Sequence, residues 1–120
     1  MDRIFIRDLR VTCIIGTLPE ERLKRQALRL NVELTVSLVK AGRTDLLTET
    51  VDYHALEADI ATLARGSRFR LIERMAEEVA ALCLARPGVR RAQVTVDKPA
   101  AGRFARSMAV QVIRTARRQA

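Results

Sequence analysis

The stretch from Leu28 to Leu38 alternates without a break, with Leu28, Leu30, Val32, Leu34, Val36 and Leu38 set against Arg29, Asn31, Glu33, Thr35 and Ser37. Successive side chains of an extended chain point to opposite faces. Eleven residues of strict period two therefore describe a strand with one buried and one polar face, and exclude a helix, whose period is 3.6. A strand of this kind needs partners, and three other segments can supply them. Residues 3 to 15 carry Ile4 and Ile6 in one phase and Leu9, Val11, Cys13 and Ile15 in the other, which a bulge near Arg7-Asp8 reconciles. Residues 89 to 98 put Val94 and Val96 in phase, and residues 106 to 114 do the same with Met108, Val110 and Val112.

Two helices are expected between the second and third strands. Asp52 is placed to cap one whose apolar residues Leu56, Ile60 and Leu63 recur at helical spacing. The other begins near Ser67 to Leu71, carries Ile72, Met75, Val79 and Leu82 on one stripe, and stops at Arg86-Pro87-Gly88. The polar run Lys40 to Asp45 is read as a break after the strand, and Gly16 to Gln26 as a loop too long for a tight hairpin. The order is β-β-α-α-β-β, an α+β fold: a four-stranded antiparallel sheet with both helices on one face. A chain of 120 residues, 48% hydrophobic and 30% charged, suits one domain spanning 1–120 around a single core.

Several function classes drop out. The longest apolar run, Val79 to Ala85, has seven residues where a membrane span needs about 20. The charged start Met1-Asp2-Arg3 has no secretory pattern, so a cytoplasmic location is the default expectation. Cys13 and Cys83 stand 70 positions apart with His54 as the single histidine, which points to two small buried residues and to no metal site or disulfide framework. No phosphate loop, dinucleotide fingerprint, zinc-protease or serine-esterase motif occurs. The net charge of +8 would suit a nucleic-acid binder, but 19 of the 22 basic residues are arginine, a skew that genome base composition also produces. The four aromatic residues, Phe5, Tyr53, Phe69 and Phe104, are too scattered for a single-strand stacking platform.

The face of the sheet away from the helices is harder to satisfy. Thr35, Ser37, Gln93, Thr95, Ala109 and Gln111 make neither a second core nor a strongly charged surface, and the edge strands are open. Open edges invite pairing between copies, and closing several copies into a ring removes them, so a homo-oligomer is expected.

Three residues invite a chemical reading beside a structural one. Lys98 shares phase with Val94 and Val96, so its ammonium starts on the apolar side. It either curls out to water or is held in a pocket, where desolvation would favour the neutral amine and a role as proton acceptor. Glu73 opens the second helix, where a carboxylate either complements the helix dipole or, flanked by free N–H groups, accepts from the two adjacent donors of an amino-pyrimidinone edge. Tyr53, the one tyrosine, follows the cap and is either packing or an acid or base. Glu20 and Glu21, taken alone, are solvated loop charges.

These residues lie within runs that resemble the dihydroneopterin aldolase family over nearly the whole chain. The runs are Ile15-Gly16 with Pro19-Glu20-Glu21-Arg22 and Gln26; Ala41 to Asp45; Val51-Asp52-Tyr53; Arg68-Phe69 with Leu71-Ile72-Glu73-Arg74; and Val96-Asp97-Lys98-Pro99. Each alone is weak, but five in order at family-like spacing are specific. The resemblance implies the tunnelling fold, with four subunits joining sheets into a barrel and two rings stacking as an octamer. It implies cofactor-free cleavage of 7,8-dihydroneopterin into 6-hydroxymethyl-7,8-dihydropterin and glycolaldehyde, with no metal. Glu73 would anchor the pterin edge, with backbone groups near Leu71 and Ile72. Lys98 would be the general base through water, Tyr53 the proton donor or acceptor at the reacting carbon, and Glu21 the holder of the glycol side chain or the ordered water. Thr50 and Val51 would line the pterin slot, and they and Tyr53 would come from the subunit next to the one supplying Glu73 and Lys98.

Two alternatives stay open. A paralogous dihydroneopterin triphosphate 2′-epimerase shares most of these residues, and Arg103 and Arg106 would suit a triphosphate; Pro99 and the Leu18 to Arg22 run resemble the aldolase more. A non-enzymatic RNA-binding domain would use Arg86, Arg90, Arg91 and the arginines from 114 to 118.

Overall fold

The computed structural model describes residues 1–99 and 102–116. Four strands, β1 (Asp2–Cys13), β2 (Gln26–Val36), β3 (Arg91–Pro99) and β4 (Ser107–Thr115), pair antiparallel in the order β1-β2-β3-β4. Between β2 and β3 lie a short helix α1 (Val39–Thr44) and the two long helices α2 (Tyr53–Gly66) and α3 (Ile72–Leu84). Single 3-10 turns form at Pro19–Leu23 and Leu47–Glu49.

The period-two residues become the core. Leu28, Leu30 and Leu34 on β2 and Val94 and Val96 on β3 are fully buried, packed with Leu56 and Ile60 of α2 and Met75 and Val79 of α3. Each such side chain contributes about 1.5–3 kcal/mol of hydrophobic stabilisation. α2 lies over β1 and α3 over β3 and β4, which puts both helices on one face. The expected bulge in β1 is present: the register slips between Ile6 and Leu9, Asp8 takes φ 56°, and its N–H donates to Asn31 Oδ1 at 2.8 Å. β2 runs two residues earlier than the periodicity suggests, because Leu38 already leads into α1.

α1 is the one departure from the expected element order. The run from Lys40 to Asp45 forms a helix with no buried residue, closed by Asp45 in the left-handed region at φ 60°. An apolar stripe is what sequence patterning detects in a helix, and this one has none to detect.

Candidate functional site

Lys98 is sheltered from solvent. Its phase on β3 carries the side chain to the helix side, where Nζ donates to Glu21 Oε2, with the two side chains 13% and 15% exposed. Glu21 arrives from the 3-10 turn between β1 and β2. Its other oxygen, Oε1, accepts from the Leu18 N–H at 3.2 Å. The Gln26 amide donates to Glu21 Oε2 at 3.0 Å and to the Ile15 carbonyl at 2.7 Å. Gly16 is required here on two counts. Its φ is +123°, and an added Cβ would fall 2.3 Å from the Glu21 carboxyl carbon.

The reading of Lys98 as a strand-end lysine that curls out to water is overturned, since its ammonium pairs with the Glu21 carboxylate and the side chain is 13% exposed. The Lys98 ammonium first, and then the Gln26 amide, hold the Glu21 carboxyl at about 2, far below its ordinary 4.5. The reading of Glu21 as a solvated loop charge is likewise overturned for Glu21, while Glu20 is exposed.

The loop that precedes α3 is fastened to this turn. Arg22 Nη1 donates to the Gly16 and Phe69 carbonyls, both at 3.1 Å, and Nη2 donates to the Arg68 carbonyl at 2.6 Å. Leu71 is the N-cap residue of α3 and provides no side-chain cap, Ile72 begins the helix, and Glu73 stands exposed in its first turn. The unpaired N–H groups of a first turn and the positive end of the helix dipole favour a carboxylate or a hydrogen-bond acceptor there. Glu21, Lys98, Leu71, Ile72 and Glu73 thus belong to one end of the chain's fold.

Tyr53, Thr50 and Val51 belong to the other end. Asp52 Oδ1 accepts from the Ala55 N–H at 3.0 Å and so caps α2, leaving Tyr53 half exposed in the first turn with its ring 5.0 Å from that of His54. Thr50 and Val51 line a cleft of about 550 Å³ together with Val36, Ser37, Asp52 and Arg90. Arg90 precedes Lys98 by eight residues on one extended segment, a span of roughly 26 Å at about 3.3 Å per residue. α2 separates Tyr53 from the α3 loop by 14 residues, a rise of about 21 Å. The two groups of candidate residues therefore lie far apart within one chain.

The arginines invoked for nucleic acid are partly committed elsewhere. Arg86 pairs with Asp59 at 2.6 Å, and Arg114 grips Glu77 of α3 through Nε and Nη2. Arg90, Arg91, Arg103 and Arg106 are exposed, and residues 117 and 118 lie outside the described residues. Cys13 and Cys83 are both buried, with burial pushing the Cys13 thiol up and the Cys83 thiol up to about 12, which makes both poor nucleophiles. Sequence reasoning gave Arg22 and Gln26 no role, since neither periodicity nor spacing signals a side chain that bonds to backbone carbonyls across the fold.

Comparisons with known proteins point to one family. The family model for FolB, dihydroneopterin aldolase, matches residues 4–113. A dihydroneopterin aldolase of Methylorubrum extorquens is 40% identical over 101 residues, covering 83% of this chain and 78% of that protein. A dihydroneopterin triphosphate 2′-epimerase of Pseudomonas aeruginosa is 34% identical over 110 residues, covering 92% and 89%. A folic acid synthesis protein of Dictyostelium discoideum is 35% identical over 115 residues, 96% of this chain, which spans 18% of that longer protein. Among solved structures, Escherichia coli dihydroneopterin aldolase in complex with neopterin superposes with a TM-score of 0.91 at 32% identity, covering 95% of this chain and 99% of that one. With the α+β sheet, the paired Glu21 and Lys98 and a family match along nearly its full length, the chain belongs to the dihydroneopterin aldolase family.

Proposed function

We propose that the chain is a dihydroneopterin aldolase whose site is assembled from two copies. The observation that carries this reading is the Glu21–Lys98 pair, sheltered on the helix side of β3 and joined through Arg22 to the loop leading into Glu73. A pterin enters with its amino-pyrimidinone edge at the first turn of α3. The Glu73 carboxylate accepts from the two adjacent ring donors, and backbone groups at Leu71 and Ile72 complete the edge. The glycol side chain then points toward Glu21 and Lys98. A neopterin complex of the E. coli relative supports a pterin as the ligand class.

The chemistry is a retro-aldol cleavage. The 2′-hydroxyl loses its proton through water to Lys98, while Glu21 holds the glycol oxygens or the water. The C1′–C2′ bond breaks, its electron pair passes into the C6=N5 imine, and glycolaldehyde departs. Protonation of the resulting enamine at C1′ gives 6-hydroxymethyl-7,8-dihydropterin. Tyr53 is the group that exchanges this proton, and it comes from a neighbouring copy together with Thr50 and Val51. The substrate's own imine is the electron sink, so the scheme calls on no Schiff base and no metal.

The two half-sites at opposite ends of one subunit support a ring in which each copy completes its neighbour's site. The edges of β1 and β4 are both open, Leu18, Leu23 and Leu71 are exposed at the Glu21 end, and Leu46, Leu47 and Tyr53 are exposed at the other. A four-membered ring closing the sheets into a barrel, with two rings stacked as an octamer, covers the edges and the helix-free face. A second reading, 2′-epimerisation of the triphosphate, is favoured by the P. aeruginosa relative and uses the same bond cleavage followed by re-addition to the other carbonyl face.

The test is a product assay with 7,8-dihydroneopterin and its triphosphate, with chelator present and no added cofactor. Release of 6-hydroxymethyl-7,8-dihydropterin from the unphosphorylated substrate is expected; conversion of the triphosphate alone to its 2′-epimer would move the protein to the epimerase branch. Lys98→Ala should lower kcat by about 10²- to 10⁴-fold with neopterin binding largely kept, whereas Glu73→Ala should weaken binding itself. Equal loss of binding in both variants would contradict the assigned roles.

A further inference from the structure

We infer that Arg22 is a positioning residue for this reaction: its guanidinium fixes the spacing between the Glu21–Lys98 pair and the helix start that carries Glu73. The inference rests on the roles proposed for Glu73 and Lys98.

Arg22 follows Glu21 directly, in the same 3-10 turn. Its three hydrogen bonds all go to backbone carbonyls, those of Gly16, Arg68 and Phe69, and the last two lie 46 and 47 residues away in sequence. Arg22 enters none of the ion pairs among the described residues. A guanidinium fork can hold three carbonyls of two loops in one plane, a geometry that the single ammonium of a lysine cannot reproduce. The placement of those loops is what gives the clamp its consequence. The Phe69 carbonyl lies three residues before Ile72, so a shift of this loop carries Leu71, Ile72 and Glu73 with it. Gly16 serves both neighbours: its carbonyl accepts from Arg22, and its missing Cβ leaves room for the Glu21 carboxylate. The pterin edge and the proton-transfer pair are therefore held to one another by a side chain that touches neither substrate nor reacting atoms.

Arg25 provides an internal comparison. Its Nη1 donates to the Thr12 and Arg65 carbonyls, both at 3.0 Å, which ties the end of α2 to β1 without reaching the loop before α3. Both residues clamp backbone, and only Arg22 clamps the site.

The experiment measures dihydroneopterin turnover, neopterin binding by fluorescence titration, and thermal melting for the parent, Arg22→Lys, Arg22→Ala and Arg25→Lys. Arg22→Lys, folded at the assay temperature, should lose about 10- to 100-fold in kcat/KM and bind neopterin several-fold more weakly, as expected for a displacement of the order of 1 Å. Added guanidinium in the millimolar range should recover part of the Arg22→Ala loss. Arg25→Lys should melt earlier yet keep kcat and KM within twofold. If Arg22→Ala does not fold, the lysine variant decides. A folded Arg22→Lys with kcat, KM and neopterin binding within twofold of the parent would overturn the inference, as would an equal loss in Arg25→Lys. A parent that releases no hydroxymethyl pterin would instead sink the proposed function, while the neopterin titration would still read the effect of Arg22 on the Glu73 end.

Discussion

Glu21 shows how far a loop carboxylate can be moved by what the fold brings beside it. The pairing with Lys98 spans 77 residues, and the carboxyl settles at about 2 where 4.5 is ordinary. A pKa lower in the folded than in the unfolded chain means that ionised Glu21 adds stability in full above about 4.5, which is lost as pH falls toward about 2. Glu21→Gln should cost about 1–3 kcal/mol at neutral pH, since it leaves the sheltered Lys98 without its charge partner. Melting curves across pH check the sign: the gap between parent and variant should close between pH 4.5 and 2, where the parent's own carboxyl becomes neutral. A gap that stays constant with pH would contradict this origin. The sequence revealed half of the pair, because the phase of Val94 and Val96 already sends Lys98 toward the apolar side. Its counter-ion was out of reach of any local pattern, and only the family resemblance singled out Glu21.

At the scale of elements, legibility followed the presence of an apolar phase. The strict alternation in β2 and the stripes of α2 and α3 were readable because burial selects them, and the bulge in β1 was readable because the phase inverts across it. α1 buries nothing and left no trace of that kind. The start of α2 was readable for a different reason, since Asp52 can satisfy an N–H that the first helical turn leaves open. Asp52→Ala should destabilise the fold by about 1 kcal/mol and loosen the turn that presents Tyr53. A melting temperature a few degrees lower, with kcat reduced more than KM, is the expected result; unchanged melting and turnover would show that the cap holds neither the fold nor the tyrosine.

At the scale of the whole molecule, the candidate residues fall into two separated groups. Glu21, Lys98 and Glu73 lie at one end of the sheet and Thr50, Val51 and Tyr53 at the other, with the long axis of α2 between them. No reading of local pattern places residues across a subunit boundary; the open sheet edges and the uncommitted face hint at association, and only the family resemblance implies which residues would cross it. The proposed two-copy site has a consequence that separates it from any arrangement within one chain. Lys98→Ala and Tyr53→Phe should then each disable every site in their own assemblies. Dissociating the two variants, mixing them in equal amounts and reassembling them should create intact sites wherever the Lys98 of one chain meets the Tyr53 of the other, roughly a quarter of the total for random mixing in a closed ring. Recovery of turnover to about a quarter of the parent's is the expected result, and a mixed assembly as inactive as its components would contradict the two-copy site.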